Sequence, residues 1–319
     1  GDVMKKIAKL SLSALAITAA LAAAPASAQQ YTFMTGPQGG VWVPLGGALK
    51  GMWEKAMPGL NITATPGAGL ANVRGVDEGK AQIGMSNSSS AVDGQLGKAP
   101  FKGKTTKVCQ LANLYPQFFQ VVATKDSGVT SFKDLKGKRL VTQPKGNTGE
   151  ALTAAILQLN GMTYKDLDKA NFQAGYTDAV SMMKDGHADV FTLGTVAPAS
   201  SVMDLANARG IALVPVDDAT MKGMQAMNPA YNKLTIKAGT YPGQDKDVAA
   251  IGYFTHVIVS CDLPADTVYK MVKIMAENID TMASVSKSMA NLTPQVMATE
   301  MGVPLHPGAA KYYKEVGAM

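Results

Sequence analysis

Three segments of this 319-residue chain combine glycines with short polar side chains and could bind an anion. They span residues 35–44, 86–90 and 143–149. Glycine lets backbone N–H groups approach a ligand closely, and hydroxyl and amide side chains add further donors. Such donors at the start of a helix favour negatively charged groups. The candidate ligand-binding residues in these segments are Gly39, Gly40, Val41, Trp42, Ser86, Asn87, Lys145, Gly146, Asn147 and Thr148.

Each of these segments also has a simpler structural interpretation. Gly39 and Gly40 could only shape a tight turn, and Trp42 could pack between two parts of the protein rather than line a pocket. The serines of residues 86–90 could cap the helix that follows, and Lys145 could be a solvated loop lysine. The sequence leaves both interpretations open.

The usual signatures of catalysis and metal binding do not occur in the sequence. His187, His256 and His306 are isolated, and neither His-Glu-x-x-His nor Gly-x-Ser-x-Gly is found. Cys109 and Cys261 lie far apart without a Cys-x-x-Cys motif, so they form either a disulfide or two buried free thiols. We therefore predict a binding protein rather than an enzyme, with no catalytic residue, cofactor or metal.

Strand and helix patterns alternate along the first part of the chain. Short apolar strands are followed by segments with helical spacing, which is the βαβαβ order of a mainly parallel sheet with helices on its faces. In such sheets ligands bind beyond the carboxyl ends of the strands, where loops lead into helices. The predicted elements are strands at 31–35, 61–64, 82–85, 108–114 and 118–124 and helices at 44–57 and 70–78.

A second half repeats this pattern after a charged turn at residues 125–138. A strand at 139–142 precedes the third candidate loop and a helix at 150–159, and a late apolar strand at 249–259 suggests that the chain returns to the first half. We therefore predict an α/β protein of two lobes, each a mainly parallel sheet flanked by helices, with a hinged cleft between them. The predicted limits are 29–124 plus 251–319 for lobe 1 and 125–250 for lobe 2.

The first residues have the order of a secretory signal. Lys5, Lys6 and Lys9 precede an uncharged apolar run at 10–24, and Ala26–Ala28 is a small-residue cleavage site. An uncleaved anchor is the alternative, although the run is shorter than the roughly 20 residues that a membrane span needs. After removal of residues 1–28, the remaining 291 residues carry a net charge of +4 without a basic cluster. We therefore expect a periplasmic protein that does not bind nucleic acid.

Several motifs of the chain resemble one family of exported receptors. They are Gly39–Gly46 (GGVWVPLG), Leu114–Pro116 (LYP), Asp134–Arg139 (DLKGKR) and Ala238–Asp245 (AGTYPGQD). These motifs are similar to those of the TAXI family, the extracytoplasmic solute receptors of TRAP transporters. The similarity extends to Pro304–Gly308 and so covers essentially the whole chain after the signal.

The resemblance implies a type II periplasmic-binding-protein fold that closes by a hinge and delivers its ligand to a TRAP-type membrane permease. It also implies a small organic anion as ligand, either a glutamate- or 2-oxoglutarate-like dicarboxylate or an amino acid. By position it adds Tyr115, Gly194, Thr195 and Pro198 to the candidate ligand-binding residues. The chain departs from the family pattern at residues 41–43, where Val-Trp-Val replaces residues with hydroxyl groups.

Other functions are compatible with the same fold. An exported dehydratase-like enzyme would need an acid and a base in the cleft, and no such pair stands out in the sequence. A receptor for an ABC importer or a sensor kinase would share the same architecture. The Thr-Tyr-Pro-Gly-Gln motif at residues 240–244 favours the TRAP class.

Overall fold

The computed structural model describes residues 28–319, so the predicted signal segment lies outside the described residues apart from Ala28. The strands are β1 (Gln29–Met34), β2 (Leu60–Thr65), β3 (Ile83–Asn87), β4 (Val108–Thr124), β5 (Arg139–Thr142), β6 (Lys169–Phe172), β7 (Val190–Thr195), β8 (Ile211–Leu213), β9 (Asn232–Ile236) and β10 (Val248–Ser260). The helices are α1 (Trp42–Ala56), α2 (Gly69–Asp77), α3 (Ser88–Leu96), α4 (Thr148–Leu159), α5 (Tyr176–Lys184), α6 (Ser200–Ala208), α7 (Asp218–Met227), α8 (Ala265–Glu277), α9 (Ile279–Val285), α10 (Pro294–Met297) and α11 (Pro307–Glu315).

The strands form one mixed sheet in the order β2-β1-β3-β10-β4-β7-β5-β6, with β8 added to β4 and β9 to β10. In one half, β1 pairs in parallel with β2 and β3, and in the other half β5 pairs in parallel with β6 and β7. We refer to the half with β1–β3 as lobe 1 and to the half with β5–β7 as lobe 2. The predicted α/β class with two mainly parallel halves is confirmed.

Two long antiparallel strands connect the lobes. Strand β4 has 17 residues and β10 has 13, and each continues from pairing within lobe 1 to pairing with strands of lobe 2. The sequence predicted two strands, at 108–114 and 118–124, in place of β4, whereas the structure has one strand that continues through Pro116. The proline is tolerated because the β10 register shifts next to it, at Thr255/His256, and β7 pairs with β4 only from Phe118 onward.

Each lobe contains its own hydrophobic clusters. The largest cluster of lobe 1 joins α1, α8 and α11 to the sheet and includes the fully buried Trp53 and Met271. In lobe 2, one cluster surrounds Ile156 and Met224 and another surrounds Phe191. Separate cores allow each lobe to keep its structure while the two move relative to each other.

A disulfide joins Cys109 and Cys261, with an S–S distance of 2.05 Å and a Cα–Cα distance of 5.1 Å. The sequence left a disulfide and two free thiols as equal alternatives, and the structure shows the disulfide. It links the beginning of β4 to the residue after β10, within lobe 1. The two connecting strands are therefore covalently fixed to each other at that end.

His256 is a fully buried histidine in β10. Its Nδ1 lies 3.1 Å from Gln110 Oε1, which also accepts a hydrogen bond from the Met301 N–H at 3.0 Å. Because an amide oxygen can only accept, the proton of the neutral imidazole is assigned to Nδ1. Burial lowers the pKa of His256 from the ordinary 6.5 to about 3. The ring is therefore neutral in the folded protein near neutral pH.

We expect His256 to make the folded protein less stable in mild acid. The unfolded chain takes up a proton at His256 near pH 6.5, whereas the folded chain takes it up only near pH 3. The free energy of unfolding therefore falls as the pH drops through this window. The free energy of unfolding is measured in urea at several pH values between 8 and 5. Its slope against pH should be shallower in the His256→Gln variant than in the unaltered protein, by the equivalent of up to one proton. His187→Gln, at an exposed histidine, is the matched control, and an unchanged slope in His256→Gln would contradict the assignment.

Candidate functional site

A small cavity lies between the lobes, where several helices begin. Trp42, Gly69, Thr148 and Tyr176 are the first residues of α1, α2, α4 and α5, and all four line the cavity. Asn87, the last residue of β3, also lines it and caps α3. Each helix follows a strand of the parallel parts of the sheet, so the helix N-termini gather at the carboxyl ends of those strands. Their free N–H groups give the cavity a partial positive charge.

The Gly-Gly turn of the first candidate segment allows the lobes to approach closely. Gly39 has a φ of +85°, and a Cβ on it would lie 2.7 Å from Thr177 Oγ1 in lobe 2. A Cβ on Gly40 would lie 3.2 Å from the Tyr176 ring. The Tyr176 N–H donates to the Gln38 carbonyl at 2.8 Å. These glycines thus shape the turn and also permit the contact between lobes.

The second candidate segment both caps a helix and contacts lobe 2. Asn87 Oδ1 accepts a hydrogen bond from the Ser90 N–H at 3.0 Å, and Asn87 Nδ2 donates to Thr148 Oγ1 at 2.9 Å. Ser90 Oγ lies 2.9 Å from the same threonine oxygen. Ser86 is fully buried, and its hydroxyl donates to the Gly69 carbonyl at 2.9 Å. Ser86 therefore supports the cavity wall from behind.

In the third candidate segment, the neutral residues contribute to the site and the charged one does not. Asn147 caps α4 by accepting a hydrogen bond from the Gly149 N–H at 2.8 Å. The Gly146 carbonyl accepts from the Ala71 N–H of lobe 1 at 3.0 Å. Lys145 is exposed and does not line the cavity. The segment closes against lobe 1 through its backbone and through Thr148.

Two aromatic side chains, those of Trp42 and Tyr176, line the cavity. Trp42 is only 8% exposed, and Tyr115, Tyr176 and Tyr253 are also buried. Burial raises the pKa of all three tyrosines, so their hydroxyl groups stay protonated. The Tyr176 hydroxyl donates to the Gly194 carbonyl at 3.3 Å. A Cβ at Gly194 would overlap the Tyr253 hydroxyl, so only glycine fits there.

The cavity brings together most of the residues predicted to bind ligand. Lobe 1 contributes Gly40, Val41, Trp42 and Asn87, and lobe 2 contributes Asn147, Thr148, Gly194 and Thr195. Gly39 and Pro198 line a separate groove of about 690 Å³ that borders the same turn. Ser86, Tyr115, Lys145 and Gly146 line neither space.

Four further lining residues were not among the predicted ligand-binding residues: Pro37, which lies within the first candidate segment, and Gly69, Gln117 and Tyr176, which lie outside all three. Gly69, the first residue of α2, follows Gly67 in a short segment after β2, and such glycines are the same signal that marked the other loops. Tyr176 follows Gly175 at the start of α5, after the weakly patterned strand β6. Gln117 lies inside β4, where no loop signal exists.

Formal charges and metal ligands are absent from the site as far as residues 28–319 describe it. No Lys, Arg, His, Asp or Glu lines the cavity. No group of three or more His, Cys, Asp or Glu side chains in the described chain could hold a metal ion. No helix in the same residues is long and apolar enough to cross a membrane. The cavity itself is small, with about 20 Å³ available to the centre of a water molecule.

Comparison with solved structures defines the class of this fold. The chain is similar to MatC from Rhodopseudomonas palustris with bound malate, with a TM-score of 0.56, 12% identity, and coverage of 90% of this chain and 96% of that one. It is similar to PhnD1 from Prochlorococcus marinus in complex with methylphosphonate, with a TM-score of 0.54, 12% identity, and coverage of 91% and 99%. Both likenesses concern the fold, which is that of type II periplasmic solute-binding proteins.

A family model gives the more particular assignment. The NMT1-like family model matches residues 33–317, and the chain belongs to this family. A third similar structure is a putative L-cystine ABC transporter protein from Listeria monocytogenes, with a TM-score of 0.50, 16% identity, and coverage of 83% of this chain and 97% of that one.

Proposed function

We propose that this protein is an exported receptor that captures a small organic anion between its lobes and delivers it to a TRAP-type permease. The observation that carries the proposal is the cavity itself, which is built from helix N-termini of both lobes and closed by direct contacts between them. We also propose the lobe limits 29–124 plus 251–319 and 125–250, since β4 ends at residue 124 and β10, which begins at Val248, contains the second limit.

The donors around the cavity are suited to reversible capture of an anion. A hydrogen bond to a charged group contributes roughly 1.5 to 3 kcal/mol, and micromolar affinity corresponds to about 8 kcal/mol. A few such bonds shared by two lobes reach this range after ordering costs are subtracted. A glutamate- or 2-oxoglutarate-like dicarboxylate or an amino acid is the ligand that the TAXI resemblance implies.

Binding without catalysis is favoured over a dehydratase-like reaction. Such a reaction needs a titratable acid and base beside the substrate. Within the described chain, the cavity-lining residues are glycines, amides, hydroxyl residues, aromatic residues, a valine and a proline. The tyrosine among them, Tyr176, has its pKa raised by burial and its hydroxyl bonded to the Gly194 carbonyl.

A thermal-shift screen tests the binding role. We expect an organic acid from a panel of carboxylates, phosphonates, sulfonates and amino acids to raise the melting temperature of the exported protein. At a ligand concentration of 100 times Kd the stabilisation is about 2.7 kcal/mol, which corresponds to a shift of several degrees. No shift across the whole panel would contradict the receptor function.

The transporter class is tested separately, because one of the similar structures is a putative ABC transporter protein. Membrane vesicles from cells that make this protein should be supplied with the purified receptor and its radiolabelled ligand. We expect uptake driven by an ion gradient in the absence of ATP. Uptake that requires ATP and persists without the gradient would instead assign the receptor to an ABC importer.

A further inference from the structure

We propose that the cavity selects a compact oxyanion that carries no ammonium group, and that the Trp42 indole N–H donates to one of its oxygens. This inference rests on the proposed receptor function and narrows its ligand class. Carboxylates, phosphonates and sulfonates share the required chemistry, which is a cluster of acceptor oxygens without a cationic group.

The Trp42 indole nitrogen is a buried donor at the cavity. Trp42 lines the cavity and is 8% exposed, and among residues 28–319 no group accepts a hydrogen bond of normal geometry from its Nε1. The other tryptophan, Trp53, is fully buried and donates its Nε1–H to the Met271 carbonyl at 3.1 Å. Leaving a buried donor unpaired costs free energy that a ligand oxygen would recover.

The Tyr115 hydroxyl lies beside the Trp42 indole, although Tyr115 itself does not line the cavity. It lies beside the Trp42 and Thr255 side chains, and in the described chain neither it nor the Thr255 hydroxyl has a hydrogen bond of normal geometry. Burial raises the pKa of Tyr115, so the hydroxyl keeps its proton. The contacts with Thr255 and Trp42 lower the pKa of Tyr115 against the larger effect of burial, so the three groups influence one another, yet none of them has a hydrogen bond of normal geometry in the described chain.

The cavity offers no negatively charged group that would pair with an ammonium group. Within residues 28–319, no carboxylate lines it. The nearby Glu150 of α4 is buried and bonded to the Tyr164 hydroxyl at 3.0 Å, and burial raises its pKa, which favours the neutral form. The Gly194 carbonyl already accepts from Tyr176. Neutral oxygens such as those of Gln117 and Thr195 can accept hydrogen bonds but do not neutralise a charge, so a buried ammonium group would be unfavourable there.

The charge that the cavity does provide is positive and partial. The N-termini of α1, α2, α4 and α5 meet there, and each favours an anion without any lysine or arginine. Together with the unpartnered Trp42 donor, this arrangement selects oxygens that accept several hydrogen bonds. The small volume of about 20 Å³ for the centre of a water molecule favours a ligand of few atoms.

The test uses ligand pairs that differ chiefly in the ammonium group. Affinities for pyruvate and alanine, 2-oxoglutarate and glutamate, and methylphosphonate and aminomethylphosphonate are measured by titration calorimetry. We expect at least one anion without an ammonium group to bind, and its amino partner to bind at least 10-fold more weakly. An amino compound that binds as tightly as its partner, or more tightly, would overturn the inference and leave the receptor function standing. Absence of binding by every compound would count against the receptor function itself.

The Trp42→Phe variant tests the indole donor. It keeps an aromatic ring and removes the N–H, and we expect affinity for the tightest anion to fall about 10-fold to 100-fold. Trp53→Phe removes the other indole N–H outside the cavity and should leave affinity unchanged. Circular dichroism and melting temperature check that both variants fold. Equal affinity in Trp42→Phe and the unaltered protein would overturn the assigned role of Trp42.

Discussion

The Gly69→Ala variant is expected to fold normally and to lose ligand affinity by about 100-fold or more, equivalent to roughly 2.7 kcal/mol. Gly69 is the first residue of α2 and has no positive φ, so alanine suits its backbone. In the closed structure, however, the added Cβ would overlap Thr148 Oγ1 of lobe 2 and lie 2.7 Å from Asn87 Nδ2. The contact with Asn87 lies within lobe 1 and is relieved by a small shift of that side-chain amide, whereas the overlap with Thr148 arises only when the lobes close, so the methyl group opposes closure.

Titration calorimetry with the tightest ligand measures this effect, and two variants make the result specific. Gly47→Ala is the matched control, because Gly47 is an exposed residue of α1 and a methyl group on it would meet no atom within 4 Å. It should keep full affinity and gain a few tenths to about 1 kcal/mol of stability. Adding Thr148→Ala to Gly69→Ala removes the overlapping oxygen and should restore part of the affinity. Unchanged binding in Gly69→Ala would show that this contact is not needed for capture.

Loss of the Cys109–Cys261 disulfide is expected to lower the free energy of unfolding by about 5 kcal/mol. The bond closes a loop with a sequence separation of 152 residues, and the chain-entropy relation gives this magnitude for a loop of that length. For a protein of this size, the melting temperature should fall by roughly 10 °C or more. Ligand affinity should change little, because neither cysteine lines the cavity.

The cleanest measurement compares oxidised and dithiothreitol-reduced samples of the same chain, since no side chain is replaced. The Cys109→Ala/Cys261→Ala double variant should match the reduced sample, apart from a small further loss from missing packing atoms. Dithiothreitol should then have no effect on the double variant. Equal stability of oxidised and reduced protein would show that the bond does not stabilise the fold.

Much of lobe 1 was predictable, because its signals are local. The βαβαβ order follows from short apolar strands separated by turn residues and helical spacing. Helix α1 begins at Trp42 rather than at the predicted Pro44, since its N-cap is Val41, which has no side-chain cap to mark the boundary. The predicted break in β4 was wrong because tertiary pairing with β10 outweighs the local effect of Pro116.

The site was predictable in its location and less so in its chemistry. Loops that follow parallel strands must gather at one edge, which placed Trp42, Asn87 and Thr148 together. Direction and exposure of side chains depend on the completed fold. Ser86 therefore turns to the Gly69 carbonyl, and Lys145 stays in solvent. The burial that leaves the Trp42 N–H without a partner also arises only when distant segments meet.

The pairing of β4 with β10 determines how the lobes can move. A ladder of two hydrogen-bonded strands bends perpendicular to its plane far more easily than it stretches or shears within that plane. We therefore expect the lobes to open by rotation about one principal axis, rather than about many axes as two domains on a single flexible linker would. Rotation about one axis brings the same residues of the two lobes together at every closure. The positions of the hydrogen-bond donors around the ligand are therefore reproduced from one capture to the next.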